Sequence, residues 1–184
     1  MTHQIPFFRL CLLLVLLGLV GLSSLRAQSE GLRYPLVKGH GGVFALPDPQ
    51  LPQQAPRLIV DLTQRSSDAD AVNPGLDRLA RLINLYGLAG YPADSLDIAV
   101  IVHGAALPVV LSDAGCQRFL DQDNSSRELI MQLDALGVEF IVCGQALMHR
   151  GYGTDYLLPA VTLGLSAITT LVDYQQRGYA VLDF

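Results

Sequence analysis

Lysine is almost missing from this 184-residue chain. Lys38 is the only one, and the 12 Lys and Arg together face 17 Asp and Glu. Without a basic stripe the chain has nothing to neutralise a run of phosphates, so nucleic acid and anionic lipid surfaces are not expected partners. Charge of either sign is scarce, at 16% of residues, whereas 51% are hydrophobic, a balance that excludes an intrinsically disordered chain. Three cysteines (Cys11, Cys116 and Cys143) are too few for a disulfide scaffold, and no CxxC pair marks a zinc site. No metal site or cofactor is expected, although Met148-His149 with Cys143 and His103 forms a donor set of the kind that soft metals accept. Glycine is absent from Asp61 to Ser67. The phosphate-cradling turn of a dinucleotide fold therefore has no place after the first strand.

What is present begins with an address. Arg9 precedes an apolar stretch from Leu10 to Leu22, and Ser23-Ser24-Leu25-Arg26-Ala27 follows with small residues suited to signal peptidase. The stretch falls short of the roughly 20 residues that cross a bilayer as a helix. Residues 1–27 thus read as a signal peptide cleaved after Ala27, with a periplasmic or secreted product and no stable membrane anchor after processing. Loss of Arg9 and Arg26 moves the formal charge from −5 to −7. Residues 28–56 carry Gly39, Gly41 and Gly42 and then Pro47, Pro49, Pro52 and Pro56, the texture of an extended Pro/Gly-rich arm. Its Lys38-Gly39-His40-Gly41-Gly42 core lacks the Gly-Lys-Ser/Thr of a phosphate loop.

From residue 57 to 184 short apolar runs alternate with helical patterns, as in parallel strands joined by crossover helices. Strands are expected at Leu58–Leu62, Asp97–Val102, Val138–Val142 and Tyr179–Leu182. Asn73-Pro74 offers a cap and a first helical position for a helix carrying Leu76, Leu79, Leu82, Ile83 and Tyr86. Ser112-Asp113 and Ser125-Ser126 cap two more, the second closed by Gly137. Asn124-Ser125-Ser126 is also a glycosylation sequon. The density of apolar residues from Leu157 to Tyr174 predicts one long helix buried on two sides. Four strands with interleaved helices make a small α/β sandwich with a parallel sheet, flavodoxin-like or Rossmann-like.

Ligands of open α/β sheets gather beyond the carboxyl ends of the strands, and both His103 and Cys143 stand at such ends. A cysteine where a strand passes into a helical turn meets backbone N–H groups that favour thiolate, the reactive form. The same spacing also suits a small buried hydrophobe. His103 has the chemistry to move a proton there, or to serve as a structural hydrogen-bonding group. Cys116 and Cys143 are a candidate disulfide or resolving pair.

The span Val142-Cys143-Gly144-Gln145-Ala146-Leu147-Met148-His149-Arg150-Gly151 resembles a segment of the DsrE/DsrF-like family, in which cysteine ends a strand and Arg-Gly follows a turn or two later. Val102-His103-Gly104, the Leu133-to-Val138 element and Gly178-Tyr179-Ala180 resemble the exported branch of that family. The resemblance implies a DsrE-type fold over residues 57–184. It also implies a persulfide carried on Cys143 in a sulfur relay or sulfurtransferase-like exchange, and Arg150 holding an anionic sulfur species. Expected partners are small sulfur species or a sulfur donor or acceptor protein, and the chain is expected to form a homo-oligomer, trimer or hexamer. Family members that relay sulfur work in the cytoplasm with partner subunits, whereas this chain has an export leader. A non-catalytic small-ligand-binding or assembly module on the same fold is the alternative.

Overall fold

The computed structural model describes residues 31–68 and 70–184; the expected signal peptide and Cys11 lie outside them. Five strands, β1 (Arg57–Leu62), β2 (Asp97–Val102), β3 (Glu139–Cys143), β4 (Val161–Gly164) and β5 (Ala180–Asp183), form one sheet in the order β4-β3-β2-β1-β5. Every pairing is parallel. Among the described residues five α-helices, α1 (Pro74–Leu88), α2 (Asp113–Leu120), α3 (Arg127–Ala135), α4 (Gly144–Arg150) and α5 (Ala167–Gln176), join them, with 3-10 turns at Ala93–Ser95, Gly104–Val110 and Thr154–Tyr156. Among the described residues no helix is long and apolar enough to cross a membrane.

Alternation along the strands divides the core between two faces. Leu58, Val60 and Leu62 of β1 point to one face with Val100 and Val102 of β2 and Phe140 and Val142 of β3. There they meet Leu76, Leu79 and Ile83 of α1, Leu129, Ile130 and Leu133 of α3, and Leu147 of α4. The other face is thinner: Ile59, Ala99, Ile101, Ile141 and Cys143 pack with Ala167 and Tyr174 of α5 and with Tyr179. Tyr174 donates to the Glu139 carboxylate and Tyr179 to Asp97 at 2.6 Å, fastening α5 at the amino ends of the strands.

Local signals act as the sequence suggests at α1, where the Asn73 side chain accepts from the Gly75 and Leu76 N–H groups ahead of Pro74. They mislead at residues 157–174. The expected long helix is instead β4 followed by α5, and the sheet has five strands, not four. Pro159 stands where a continuous helix would need its N–H, and Val161-Thr162-Leu163 favours extended backbone. A short edge strand running directly into a helix presents the same unbroken apolar density as one long helix.

The Pro/Gly-rich arm makes no regular element over residues 33–56 beyond one antiparallel bridge between Arg33 and Val43, yet it is packed. Asn84 of α1, fully buried, holds it: Oδ1 accepts from the Leu36 and Val37 N–H groups, both at 2.9 Å, and Nδ2 donates to the Val37, His40 and Gly41 carbonyls. Gly41 sits at φ +59°, and a Cβ there would lie 2.0 Å from the Arg81 nitrogen. Only glycine lets the arm lie this close to α1. Removing the amide strands several buried backbone groups, so Asn84→Ala is expected to cost about 3 kcal/mol in urea denaturation; a loss under about 1 kcal/mol would show that the arm is held elsewhere.

Candidate functional site

Parallel strands bring all their carboxyl ends to one rim. Val102 of β2 stands opposite Val142 of β3. His103 and Cys143 each follow this last paired rung, and no hydrogen bond joins their side chains: His103 bonds Asp61, and Cys143 Sγ meets the Ala146 N–H. His103 keeps extended backbone (φ −153°, ψ −174°), so the alternation persists and both side chains fall on the α5 face.

Cys143 is the last residue of β3 and also the N-cap of α4. Its Sγ accepts the Ala146 N–H at 3.4 Å, a contact that strengthens as negative charge builds on sulfur. The residue is only 5% exposed and belongs to the cluster formed with Ile141, Ala167 and their neighbours. Gly144 follows because a Cβ there would come 2.8 Å from the Gly164 carbonyl of β4.

His103 Nε2 lies 2.7 Å from Asp61 Oδ1, and both side chains are partly exposed. With a carboxylate accepting from Nε2–H, Nδ1 carries the lone pair of the neutral ring, the form that takes a proton. Asp61, His103 and Cys143 thus occupy the ends of three neighbouring strands on one face. Asp61 was not among the expected site residues. Its signal in the sequence is a lone carboxylate near the end of the apolar run Leu58-Ile59-Val60-Asp61-Leu62.

Arg150 is elsewhere. It closes α4, about 10 Å of helix beyond Cys143. With Arg65, Gly104 and Tyr152 it lines a cleft to which Cys143 contributes no wall. Cys116 is buried on α2 with its thiol 3.6 Å from the Pro108 carbonyl, and burial, then Asp113 and Asp123, push it up to about 11. Both described cysteines are free. Among the described residues no three His, Cys, Asp or Glu side chains cluster as metal ligands.

The model of the DsrE/DsrF-like family matches residues 58–184, all five strands and the rim just described. The chain belongs to the DsrE/DsrF-like family. Its fold is shared with MTH1491, a protein of unknown function from Methanobacterium thermoautotrophicum, at 21% identity and a TM-score of 0.50 over 70% of this chain and 99% of that one. It is likewise similar to the YchN protein of E. coli, at 18% identity and a TM-score of 0.51 with the same coverage of each chain. No curated protein matches. The arm before residue 57 lies outside the span matched to the DsrE/DsrF-like family.

The Asp61–His103 bond has a spectroscopic consequence. Long-range 15N–1H NMR of the neutral protein should find His103 protonated on Nε2, and Asp61→Ala should abolish that preference. A wild-type ring protonated on Nδ1 would show that the carboxylate does not set the tautomer.

Proposed function

We propose that this DsrE/DsrF-like protein carries sulfane sulfur as a persulfide on Cys143, in the periplasm or outside the cell after its leader is removed. The supporting observation is the Ala146 N–H aimed at Sγ, at the end of a strand whose neighbour β2 leads into a histidine already bound to a carboxylate. In the loading step the Cys143 thiolate attacks the outer sulfur of a polysulfide. A Cys–S–S bond forms, the S–S bond of the donor breaks, and the shortened polysulfide leaves with the electron pair. His103, oriented by Asp61, takes the thiol proton beforehand. Transfer to an acceptor thiolate reverses the roles and restores Cys143. Carrier describes this better than enzyme, since the sulfur is handed on unchanged in oxidation level.

One observation favours a second reading, a non-catalytic ligand-binding or assembly module: Cys143 exposes only 5% of its surface. The two readings part on one sample. Carrier chemistry requires a +32 Da adduct after polysulfide treatment that is absent from Cys143→Ser, and iodoacetamide labelling of native protein at Cys143 but not at Cys116. A thiol protected until denaturation, with no adduct, rejects the carrier and leaves the module.

We also propose that the chain assembles as a homo-oligomer, a trimer or hexamer, through α5 and Leu165, two residues before it. Ile168 and Val172 lie four apart on α5 and are 77% and 47% exposed, and Leu165 just before the helix is 72% exposed. A second copy is the occupant of matching chemistry, burying aliphatic surface at about 25 cal/mol per Å2. Sedimentation velocity of the wild type should show the oligomer and that of Ile168→Glu a folded monomer; a wild-type monomer at high micromolar concentration would refute the assembly.

A further inference from the structure

We propose that Arg65 and Arg150 form a binding site for a small tetrahedral oxyanion, separate from the thiol of Cys143. Arg65 follows β1 and Arg150 ends α4, and the fold brings both to the wall of one cleft of about 100 Å3 beside the carboxyl end of β2. Gly104, Leu107, Leu120 and Tyr152 supply other parts of the wall, and no carboxylate contributes to it.

Charge bookkeeping leaves this pair without a partner, as it does the exposed Arg78 of α1, but only Arg65 and Arg150 share a cleft. In the described region Arg57, Arg81, Arg127 and Arg177 are each paired with an aspartate, and Arg118 lies over the rings of Phe119 and Tyr156. Among the described residues Arg65 and Arg150 have neither an ion pair nor a hydrogen bond, and the Tyr152 hydroxyl has no protein partner. The chain as a whole is acidic. Two guanidiniums lining one carboxylate-free hollow therefore reverse the local sign of the field, and their mutual repulsion is relieved by an anion between them.

Guanidinium groups match the paired oxygens of sulfate- and phosphate-type anions in bidentate geometry. The cleft is small and open to solvent, about 100 Å3 and well below the roughly 300 Å3 at which drug-sized ligand pockets begin, which suits a small anion. Leu107 and Leu120 keep one side apolar, which strengthens the attraction at the other. Gly104, at φ +62°, turns the chain from β2 into this wall; a Cβ there would meet nothing closer than 3.9 Å, so conformation and not space calls for glycine.

Isothermal titration calorimetry of the full chain in phosphate-free chloride buffer, with phosphate and with thiosulfate as probes, tests the site. One saturable anion per chain is expected for each probe. Kd should rise at least tenfold in Arg65→Gln and in Arg150→Gln. It should stay unchanged in Cys143→Ser and in Arg78→Gln, a control at an exposed arginine of α1 outside the cleft. No saturable binding by folded wild type, or binding that survives both cleft substitutions, overturns the proposal. So does loss of binding in Cys143→Ser, which would assign the anion to the thiol. Because the cleft excludes Cys143, failure of anion binding leaves the persulfide test untouched, and the reverse also holds.

Discussion

Hydrogen bonding five strands in the same direction imposes the condition on which the rest of this protein depends: both faces of the sheet must be covered, and all the carboxyl ends must meet at one rim. On one face α1, α3 and α4 meet the condition with a continuous aliphatic layer. On the other, α5 has to cross from the β4 edge to the β5 edge with only 10 residues. The thinness of that cover has two results. It leaves Asp61 and His103 partly open at the rim, and it leaves the outer stripe of α5 in solvent. Site and apolar stripe are products of the same shortage of helix.

Cys143 stands where these demands conflict. As the last residue of β3 it is needed to fill the α5-face cluster, and as the first contact of α4 it caps a helix through sulfur. A cap of oxygen would be stronger, since Ser, Thr, Asp and Asn are the ordinary choices. Sulfur at this position instead fills the apolar α5-face cluster, where a hydroxyl or carboxylate would be the poorer packing group. The contrast with Cys116 is instructive: burial first, and then Asp113 and Asp123, hold that thiol neutral, and it faces the Pro108 carbonyl. Two cysteines of one chain thus meet opposite surroundings, an N–H for one and a C=O for the other.

The arm shows how an irregular segment becomes part of a core. It has no ladder to satisfy its backbone, so a single buried amide, Asn84, substitutes for one by serving five main-chain groups. Glycine at position 41 permits the approach, and Asp77 receives its N–H at 2.9 Å. The Gly-rich core that excludes a phosphate loop in the sequence is in this way a packing device.

Strand periods, caps at Asn73 and Ser112, and Cys143 and His103 at strand ends were all legible in the residues, because each depends on neighbours within a few positions along the chain. The edge strand β4 was not, since Val161-Thr162-Leu163 carries the same apolar density whether it continues a helix or pairs with β3, and only the free edge of that strand decides between them. Nor was Asp61 legible as a site residue: its role comes from a histidine on the next strand, and strand order is written in no single segment. Arg150 illustrates the converse, close to Cys143 in sequence yet set about 10 Å along a helix from it, in the wall of a cleft it shares with Arg65 from the loop after β1. Local chain chemistry determined which elements form and which side chains are reactive in kind. Tertiary structure alone decided which of them meet, because sheet order and the side of the sheet on which a residue lands are properties of pairing between distant strands.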